Sequence, residues 1–276
     1  MTPPGSDPTS RSTTPSGLPV GDLLATGPVT SGDDIPESAL AVGAHPDDIE
    51  FGCGATLARW AAQGCRLDFL VLTDGSKGTW DPAADPATLA ATRTAECEAA
   101  AAVLAGASGA SVTHLGAVDG ELEDTPATRE AICRVLRTVR PEVVFVHDPW
   151  RRYRLHPDHR TAGFAVLGAV VAARDPHFFP TQGLAPHRPR RLYLFEPDLP
   201  NHVEDATGYE QAKVDALWCH TSQHRSTMGA PADGDDHPSG TSPREAFAAK
   251  VATQLAAHGA LVGLPSGEAF HRIDAV

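Results

Sequence analysis

From Ala39 onward the chain alternates short runs typical of β-strands with longer alanine-rich runs typical of helices. Such alternation is the pattern of stacked βαβ units, which build a mainly parallel sheet with helices on both faces. We therefore predict an α/β fold of three layers. The predicted strands are Ala39–Ala44, Arg66–Thr73, Ser111–Leu115, Glu142–His147, Arg190–Phe195 and Ala269–Ile273. The predicted helices are Gly52–Gln63, Pro86–Leu104, Thr125–Val139, Asp158–Ala173, Tyr209–His220 and Arg244–His258.

Two low-complexity stretches fall outside this pattern. Residues 1–37 are rich in Pro, Gly, Ser and Thr, and Arg11 is their only basic residue. A segment of this composition buries too little apolar surface to offset the entropy of ordering it. We predict a flexible, disordered leader over residues 1–37, a single domain over 38–276, and a mobile surface loop at the Gly- and Pro-rich residues 229–243.

The charge balance restricts the partners. The 276 residues include 22 Lys+Arg and 35 Asp+Glu, which gives a formal net charge of −13. This charge repels nucleic-acid phosphates and anionic lipids, and no basic run offsets it locally. The longest apolar stretch, residues 163–173, is about half of the roughly 20 residues that a membrane span requires. We expect a small-molecule substrate, no nucleic acid and no membrane insertion, and leave a homo-oligomer open.

The cysteine count indicates the compartment. Five cysteines form no Cys-x-x-Cys pair, which suits neither a disulfide framework nor a structural zinc knuckle. The leader contains no apolar segment of signal-peptide length. We therefore predict reduced thiols in a cytoplasmic protein.

Two short motifs carry candidate metal ligands. The first predicted strand is followed by His45-Pro46-Asp47-Asp48, and the fourth by His156-Pro157-Asp158-His159. Loops at the carboxyl ends of parallel strands meet at one edge of the sheet, so these side chains should converge there. Three nitrogen or carboxylate ligands with one open position are typical of a catalytic zinc site. The alternative is that both motifs are ordinary polar turns built around proline.

The paired motifs resemble the AHPDD and HPDH hallmarks of the LmbE-like, or PIG-L, metal-dependent deacetylases, which remove the acetyl group from N-acetylglucosaminyl compounds. The similarity runs from about Ala41 to His224 and includes Arg93-x-x-Glu96. Further matching segments are TDG at Thr73–Gly75, LGxxDGEL at Leu115–Leu122 and HDP at His147–Pro149. The resemblance implies a Rossmann-like fold and a hydrolase that uses a metal ion.

The resemblance also implies roles for the motif residues. It assigns His45, Asp48 and His159 as metal ligands and Asp47 as the general base. It assigns His156 as the residue that stabilises the oxyanion or protonates the leaving amine. We expect one Zn²⁺ per chain, and Fe²⁺ also suits two histidines and one carboxylate.

Five further residues are predicted around this centre. The resemblance implies that Arg93 and Asp119 hold the sugar; otherwise Arg93 pairs with Glu96 on an exposed helix face, and Asp119 is a turn residue. We expect Asp158 to orient one of the histidines that flank it, unless it is a helix N-cap. His147 and Asp148, which end the fourth strand close to the site, are expected to have a structural or supporting role rather than to be ligands.

The sequence leaves several functions open. The first is hydrolysis of an acetyl or other N-acyl group from an N-acetylglucosaminyl-type conjugate. The alternatives are an amidase that cleaves a larger N-acyl group of a thiol-sugar conjugate, and a non-catalytic sugar-binding homologue. A nucleotide-binding oxidoreductase would carry G-x-G-x-x-G where the first motif stands. The basic, aromatic segment Trp150–Leu155 indicates either an anionic or extended substituent near the site or a solvated loop.

Overall fold

The computed structural model describes residues 28–32, 34–230, 241–274 and 276. The strands are β1 (Thr30–Ser31), β2 (Ser38–Gly43), β3 (Arg66–Thr73), β4 (Ala110–Ala117), β5 (Val143–His147), β6 (Arg191–Phe195), β7 (His202–Asp205) and β8 (Gly267–Asp274). The α-helices are α1 (Asp48–Ala62), α2 (Pro86–Ala105), α3 (Pro126–Val139), α4 (Pro157–Ala173), α5 (Glu210–Trp218) and α6 (Pro243–Ala260). In these ranges, no helix combines the length and apolar character that a membrane span requires.

The described strands form one sheet in the order β1-β7-β8-β6-β5-β2-β3-β4. Every neighbouring pair is parallel except those made by β8, which runs antiparallel to β6 and β7. The predicted mainly parallel α/β sheet is confirmed. Because β2, β3, β4, β5 and β6 are parallel, the loops that follow them lie at the same edge of the sheet.

Helices cover both faces of the sheet. Along β2, Ala39 and Ala41 pack against α1 and α2, whereas Leu40 and Val42 pack against α3 and α4. This alternation follows from the two-residue period of a strand, and burial of both faces explains why these strands are apolar throughout. α5 and α6 pack beside α1 in a smaller apolar cluster. The three-layer arrangement is therefore as the sequence predicts.

Two strands are absent from the sequence prediction. β1 is short and pairs with β7, where the Thr30 amide donates to the Asn201 carbonyl at 2.9 Å. β7 has a polar sequence, and its buried His202 ring lies 2.8 Å from the Glu204 carboxylate. Neither strand shows the apolar run on which strand prediction depends. β1 lies within the predicted leader 1–37, so ordered structure begins before residue 38.

Most residues of the predicted leader and of the predicted loop cannot be compared with the structure. Residues 1–27 of the predicted leader and 231–240 of the predicted loop 229–243 lie outside the described residues, and Pro243 already begins α6. The helix predicted from Gly52 begins earlier, at Asp48, because the motif itself enters the helix.

α1 is interrupted one turn after it begins. Cys53 leaves helical geometry, with φ −150° and ψ 20°. Glu268 of β8 accepts the Ala55 amide at 3.2 Å and the Thr56 amide at 2.7 Å. The Lys213 ammonium binds Glu268 and donates to the Phe51 carbonyl at 2.6 Å. A buried ion pair thus satisfies backbone groups that the interruption leaves without helical partners.

Candidate active site

The loops that follow β2 to β6 surround an open cleft of about 510 Å³ at the carboxyl edge of the sheet. Seven side chains singled out by the sequence line this cleft: His45, Asp47, Asp48, Arg93, Asp119, His156 and His159. The fold therefore brings the two motifs together, although more than a hundred residues separate them in the chain.

Three of these side chains present ligand atoms at nearly equal spacing. The Nδ1 of His45 lies 3.3 Å from the Oδ2 of Asp48 and 3.3 Å from the Nε2 of His159. The same Nε2 lies 3.2 Å from the Oδ1 of Asp48. Two ligands that each bind a tetrahedral ion at about 2.0–2.1 Å lie about 3.3–3.4 Å apart. Each of these separations is therefore of the length expected between ligands of one divalent ion, with Asp48 offering a different oxygen to each histidine, so the three residues could hold such an ion.

Other sets of neighbouring groups in the described chain could also hold an ion, and all share members with this one. They are His45 with His156 and His159; His45 with Asp119, His156 and Asp158; and Asp48 with His147 and His159. We favour the set formed by His45, Asp48 and His159, because two of the other candidate ligands, His147 and Asp158, already form hydrogen bonds with other groups.

His147 is one such neighbour. Its Nδ1 lies 2.9 Å from the Nη1 of Arg154. A guanidinium only donates hydrogen bonds, so Nδ1 accepts and Nε2 carries the ring hydrogen. This Nε2 faces the Oδ2 of Asp48 at 3.1 Å. In this tautomer His147 cannot ligate through Nε2, and it instead lies against a carboxylate that can.

Asp158 is the second. Its carboxylate accepts the Gly120 amide at 2.7 Å and the Leu122 amide at 3.3 Å, and its Oδ2 lies 3.1 Å from the Nε2 of His45. It therefore contacts the histidine of the other motif rather than a flanking histidine. The alternative of a helix N-cap is wrong, because His156 occupies that position in α4. Contact at Nε2 leaves the Nδ1 of His45 directed at Asp48 and His159.

The carboxylates around His45 make the centre attractive to a cation. Burial opposes a charge on His45, but Asp119, Asp158 and Asp48 outweigh it and raise the pKa of this imidazole to about 12. A ligating imidazole is neutral, so binding of a metal ion there would release this proton.

Asp47 has an unusual backbone and a buried side chain. Its φ of 109° lies in the left-handed region, which is costly for a residue with a side chain. It precedes the first residue of α1, yet its side chain makes no capping hydrogen bond. Burial raises the pKa of the Asp47 carboxyl to about 6, while the positive charge of Arg93 opposes that rise.

His156 presents a hydrogen-bond donor to the cleft. Its Nδ1 accepts the Asp158 amide at 3.3 Å as the N-cap of α4, which leaves the hydrogen on Nε2. That Nε2 lies 4.0 Å from the Oδ1 of Asp119. Burial and the neighbouring rings of His45 and His159 lower the pKa of His156.

The two predicted sugar contacts differ in position. Asp119 lines the cleft, with Oδ1 at 3.2 Å from the Nε2 of His45 and Oδ2 accepting the Lys77 amide at 3.1 Å. Arg93 also lines the cleft, but its side chain is almost completely buried and its Nη2 lies 3.3 Å from the Oδ1 of Asp47. Its predicted alternative, a pair with Glu96, is wrong, because Glu96 accepts hydrogen bonds from residues 221 and 222 instead.

Asp148 does not support the site as predicted. Its carboxylate accepts the Trp150 amide at 2.9 Å and forms the turn after β5. The preceding residue, His147, is the one whose side chain contacts Asp48, a candidate ligand. Side chains alternate between the two faces of a strand, so a shift of one residue reverses the direction.

The basic segment after β5 has its charges paired. Glu196 contacts Arg151 at 3.2 Å and Arg154 at 3.0 Å, and the Nε of Arg152 lies 3.1 Å from Asp198. Three arginines thus face two carboxylates, which weakens the expectation of an anionic substituent. A groove of about 460 Å³ is lined by this segment and shares the lining residues His156, His159 and Glu196 with the cleft.

Sequence reasoning missed Arg154, which donates to His147, and Glu196, which pairs with Arg154. Glu196 directly follows β6, so extending the strand-end rule to the fifth parallel strand would have identified it. Arg154 had no distinguishing signal among its basic neighbours.

The fold and the paired motifs define a deacetylase of the PIG-L, or LmbE-like, class. The chain belongs to this family, whose model, described as GlcNAc-PI de-N-acetylase, matches residues 40–170. The family predicted from the motifs is confirmed.

Relatives with known activities support this assignment. The diacetylchitobiose deacetylase of Thermococcus kodakarensis is 35% identical over 191 residues, which span 68% of this chain and 70% of that protein. The 1D-myo-inositol 2-acetamido-2-deoxy-alpha-D-glucopyranoside deacetylase of Kineococcus radiotolerans is 30% identical over 199 residues, which span 60% of this chain and 54% of that protein. Among solved structures, the N,N'-diacetylchitobiose deacetylase of Pyrococcus horikoshii, complexed with its inhibitor MPG, matches with a TM-score of 0.75. It is 29% identical, and the match covers 87% of this chain and 84% of that one.

Proposed function

We propose that this protein hydrolyses the acetamide of a small N-acetylglucosaminyl-type conjugate, with one zinc ion per chain, releasing acetate and a free amine. The observation that carries the proposal is that the Nδ1 of His45 and the Nε2 of His159 lie 3.3 Å apart and each lies 3.2–3.3 Å from one oxygen of the Asp48 carboxylate. The family membership and the activities of the relatives supply the reaction class.

His45 Nδ1, the Asp48 carboxylate and His159 Nε2 would hold the ion. A divalent ion in that position acts as a Lewis acid, which acidifies water and polarises an amide carbonyl. Two imidazoles and a carboxylate also suit Fe²⁺, so zinc is our choice between two ions that fit the same ligands.

Asp47 is the general base in this proposal. Its neighbour Asp48 faces the ligand histidines, whereas the Asp47 carboxylate lines the cleft without capping α1. Asp47 therefore can accept the proton of the water molecule that attacks the carbonyl carbon. The new carbon–oxygen bond forms a tetrahedral intermediate.

His156 acts on the opposite side of the carbonyl. Its Nε2–H faces the cleft and can donate a hydrogen bond to the oxyanion. Because this imidazole is neutral, we propose that Asp47 passes the proton taken from water to the departing nitrogen. Cleavage of the carbon–nitrogen bond then leaves acetate and the protonated amine. Because Asp119 lies beside His156, we propose that its carboxylate contacts a sugar hydroxyl next to the acetamide.

The substrate extends beyond one sugar in this proposal. The groove along residues 151–155 joins the cleft at His156, His159 and Glu196. Tyr153 is 90% exposed and Leu155 is 96% exposed, so both are available for stacking or apolar contact. The same groove favours one second candidate, cleavage of a larger N-acyl group of a thiol-sugar conjugate. A non-catalytic sugar-binding role would not require Asp47 and all three ligands, which are present.

The test is a panel assay for released acetate and primary amine. Zinc-loaded protein should hydrolyse N,N'-diacetylchitobiose or an N-acetylglucosaminyl inositol, and Asp47→Asn should be the inactive control. Faster cleavage of an N-acylglucosamine with a long acyl chain would favour the second candidate. Absence of amine release from every compound, with metal bound, would refute catalysis.

We also propose that the protein works in the cytoplasm. The structure leaves all five cysteines unpaired, four of them buried, which suits a reducing compartment.

A further inference from the structure

The His147 ring, at the end of β5, contacts two of the three candidate metal ligands. Its Nε2 lies 3.1 Å from the Oδ2 of Asp48, and its ring stacks on that of His159, with the two centroids 4.2 Å apart. The ring of Phe195, its partner across β5 and β6, packs against it at 4.4 Å. These contacts fix the plane of a buried ring, but they do not decide which ring nitrogen carries the hydrogen.

The position of that hydrogen decides whether the contact with Asp48 is attractive. With the hydrogen on Nε2, an N–H group meets the carboxylate oxygen. With the hydrogen on Nδ1, Nε2 presents a lone pair to the same oxygen, and the contact becomes repulsive. The Oδ2 of Asp48 also accepts the His45 amide at 2.7 Å. An Nε2–H at His147 is therefore a second donor that holds this carboxylate in its orientation.

Two charged groups near the Nδ1 of His147 favour opposite tautomers. The Oε2 of Glu196 lies 3.8 Å from Nδ1, and a carboxylate there favours a hydrogen on this nitrogen. The Nη1 of Arg154 lies closer, at 2.9 Å, and donates to Nδ1. The Nη2 of Arg154 lies 3.0 Å from the same Glu196 oxygen. Arg154 thus binds the carboxylate that would otherwise attract the hydrogen, and leaves that hydrogen on Nε2.

We propose that Arg154 is a positioning residue for the metal centre, which keeps the hydrogen of His147 on Nε2 and thereby holds the Asp48 carboxylate ready to ligate. This inference rests on the proposed function, which assigns Asp48 as a ligand. It concerns binding of the ion and not contact with the substrate.

The proposal predicts an effect opposite in sign to that of simple electrostatics. A positive charge near the centre repels a divalent cation, so its removal alone would strengthen binding of the ion. Loss of a group that orients a ligand instead weakens metal binding by about 10–100-fold. The direction of the change therefore separates the two effects.

The first test is the dissociation constant of zinc, measured by competition with a chromophoric chelator. Arg154→Met keeps much of the side-chain volume and removes the donors, and it should raise Kd at least about tenfold. Arg154→Lys keeps a charged donor and should recover part of this loss. Because no substrate is present, any contact between Arg154 and a substrate does not affect this measurement.

Arg151 provides the matched control. It pairs with the same Glu196 carboxylate, at 3.2 Å, and in the described structure it makes no hydrogen bond to His147. Arg151→Met removes the same charge and should change Kd less than about threefold. His147→Phe keeps a ring for stacking and removes both nitrogens. In that background Arg154→Met should change Kd less than about threefold, because no hydrogen remains to be placed.

The tautomer supplies a second measurement. Heteronuclear NMR of metal-free protein with isotope-labelled histidine distinguishes a ring nitrogen that carries hydrogen from one that does not. The His147 signals are identified by their loss in His147→Phe. They should show hydrogen on Nε2 alone in wild type and in Arg151→Met, and hydrogen on Nδ1 in Arg154→Met.

Four results would overturn the proposal. Zinc binding by Arg154→Met as tight as that of wild type, or tighter, would show that Arg154 acts by charge alone. Equal weakening with His147 present and with His147→Phe would make Arg154 merely structural. Hydrogen on Nε2 alone in Arg154→Met would remove its influence on the tautomer. Wild-type protein that binds no zinc would refute the proposed centre itself, which separates that failure from the other three.

Discussion

Glu268→Ala should destabilise the protein strongly, although Glu268 lies outside the cleft. The carboxylate accepts two amides of α1 and the ammonium of Lys213, and these side chains are 2% and 4% exposed. Breaking a buried ion pair leaves a buried charge without a partner and costs about 3–5 kcal/mol. Loss of a side chain that accepts unpaired helix amides costs about 1 kcal/mol by itself. This cost and the cost of the broken ion pair are not additive, because one carboxylate makes both interactions. We therefore expect a loss of about 3–5 kcal/mol in the free energy of unfolding.

Urea denaturation measures this loss as a lower midpoint at an unchanged slope. The double variant Glu268→Gln/Lys213→Met should recover most of the stability, because it removes both charges and keeps an acceptor for the amides. Glu121→Ala, which breaks a largely exposed pair with Lys77, is the control and should cost less than about 1 kcal/mol. A loss below about 1 kcal/mol in Glu268→Ala, or no recovery in the double variant, would refute this explanation of the interrupted helix.

The remaining predictions concern the cleft. Asp47→Asn should keep its metal and lose at least about a hundredfold in kcat, as measured by amine release; an empty site by elemental analysis would mean that Asp47 is a ligand. His159→Ala should lose its ion on dialysis and Asp148→Ala should keep it, because the Asp148 carboxylate serves only a turn; equal retention would contradict the ligand set. Leu155→Ala should raise KM for a disaccharide at least about threefold and leave KM for a monosaccharide unchanged; equal effects on both would remove the groove from substrate binding.

The fold was largely predictable because its strands are buried on both faces and are therefore apolar throughout. Prediction of strands from apolar runs failed for β7, because its buried side chains include a histidine and a carboxylate that bind each other. Hydropathy does not reveal a polar pair that is satisfied inside the protein. β1 adds only two residues to the edge of the sheet, which is too short for any periodic pattern.

The convergence of the two motifs was also predictable, since parallel strands place their loops at one edge. The directions of individual side chains were not. His147 and Asp148 were both expected to support the site, yet only the His147 side chain contacts Asp48, while the Asp148 carboxylate accepts an amide of the following turn. The three-residue spacing of Arg93 and Glu96 on one helix allowed an ion pair between them. In the structure each side chain instead binds a different loop, which lies near α2 only in the folded protein. Local spacing predicts neighbours on one helix and carries no information about competing partners elsewhere.

The most direct test of the proposed function is a zinc titration of metal-free protein with acetate release as the readout. Activity should be absent at the start, rise in proportion to added ion and reach its maximum at one zinc per chain, the stoichiometry of a single centre formed by His45, Asp48 and His159. Full activity in metal-free protein, or a maximum reached only at two ions per chain, would contradict it.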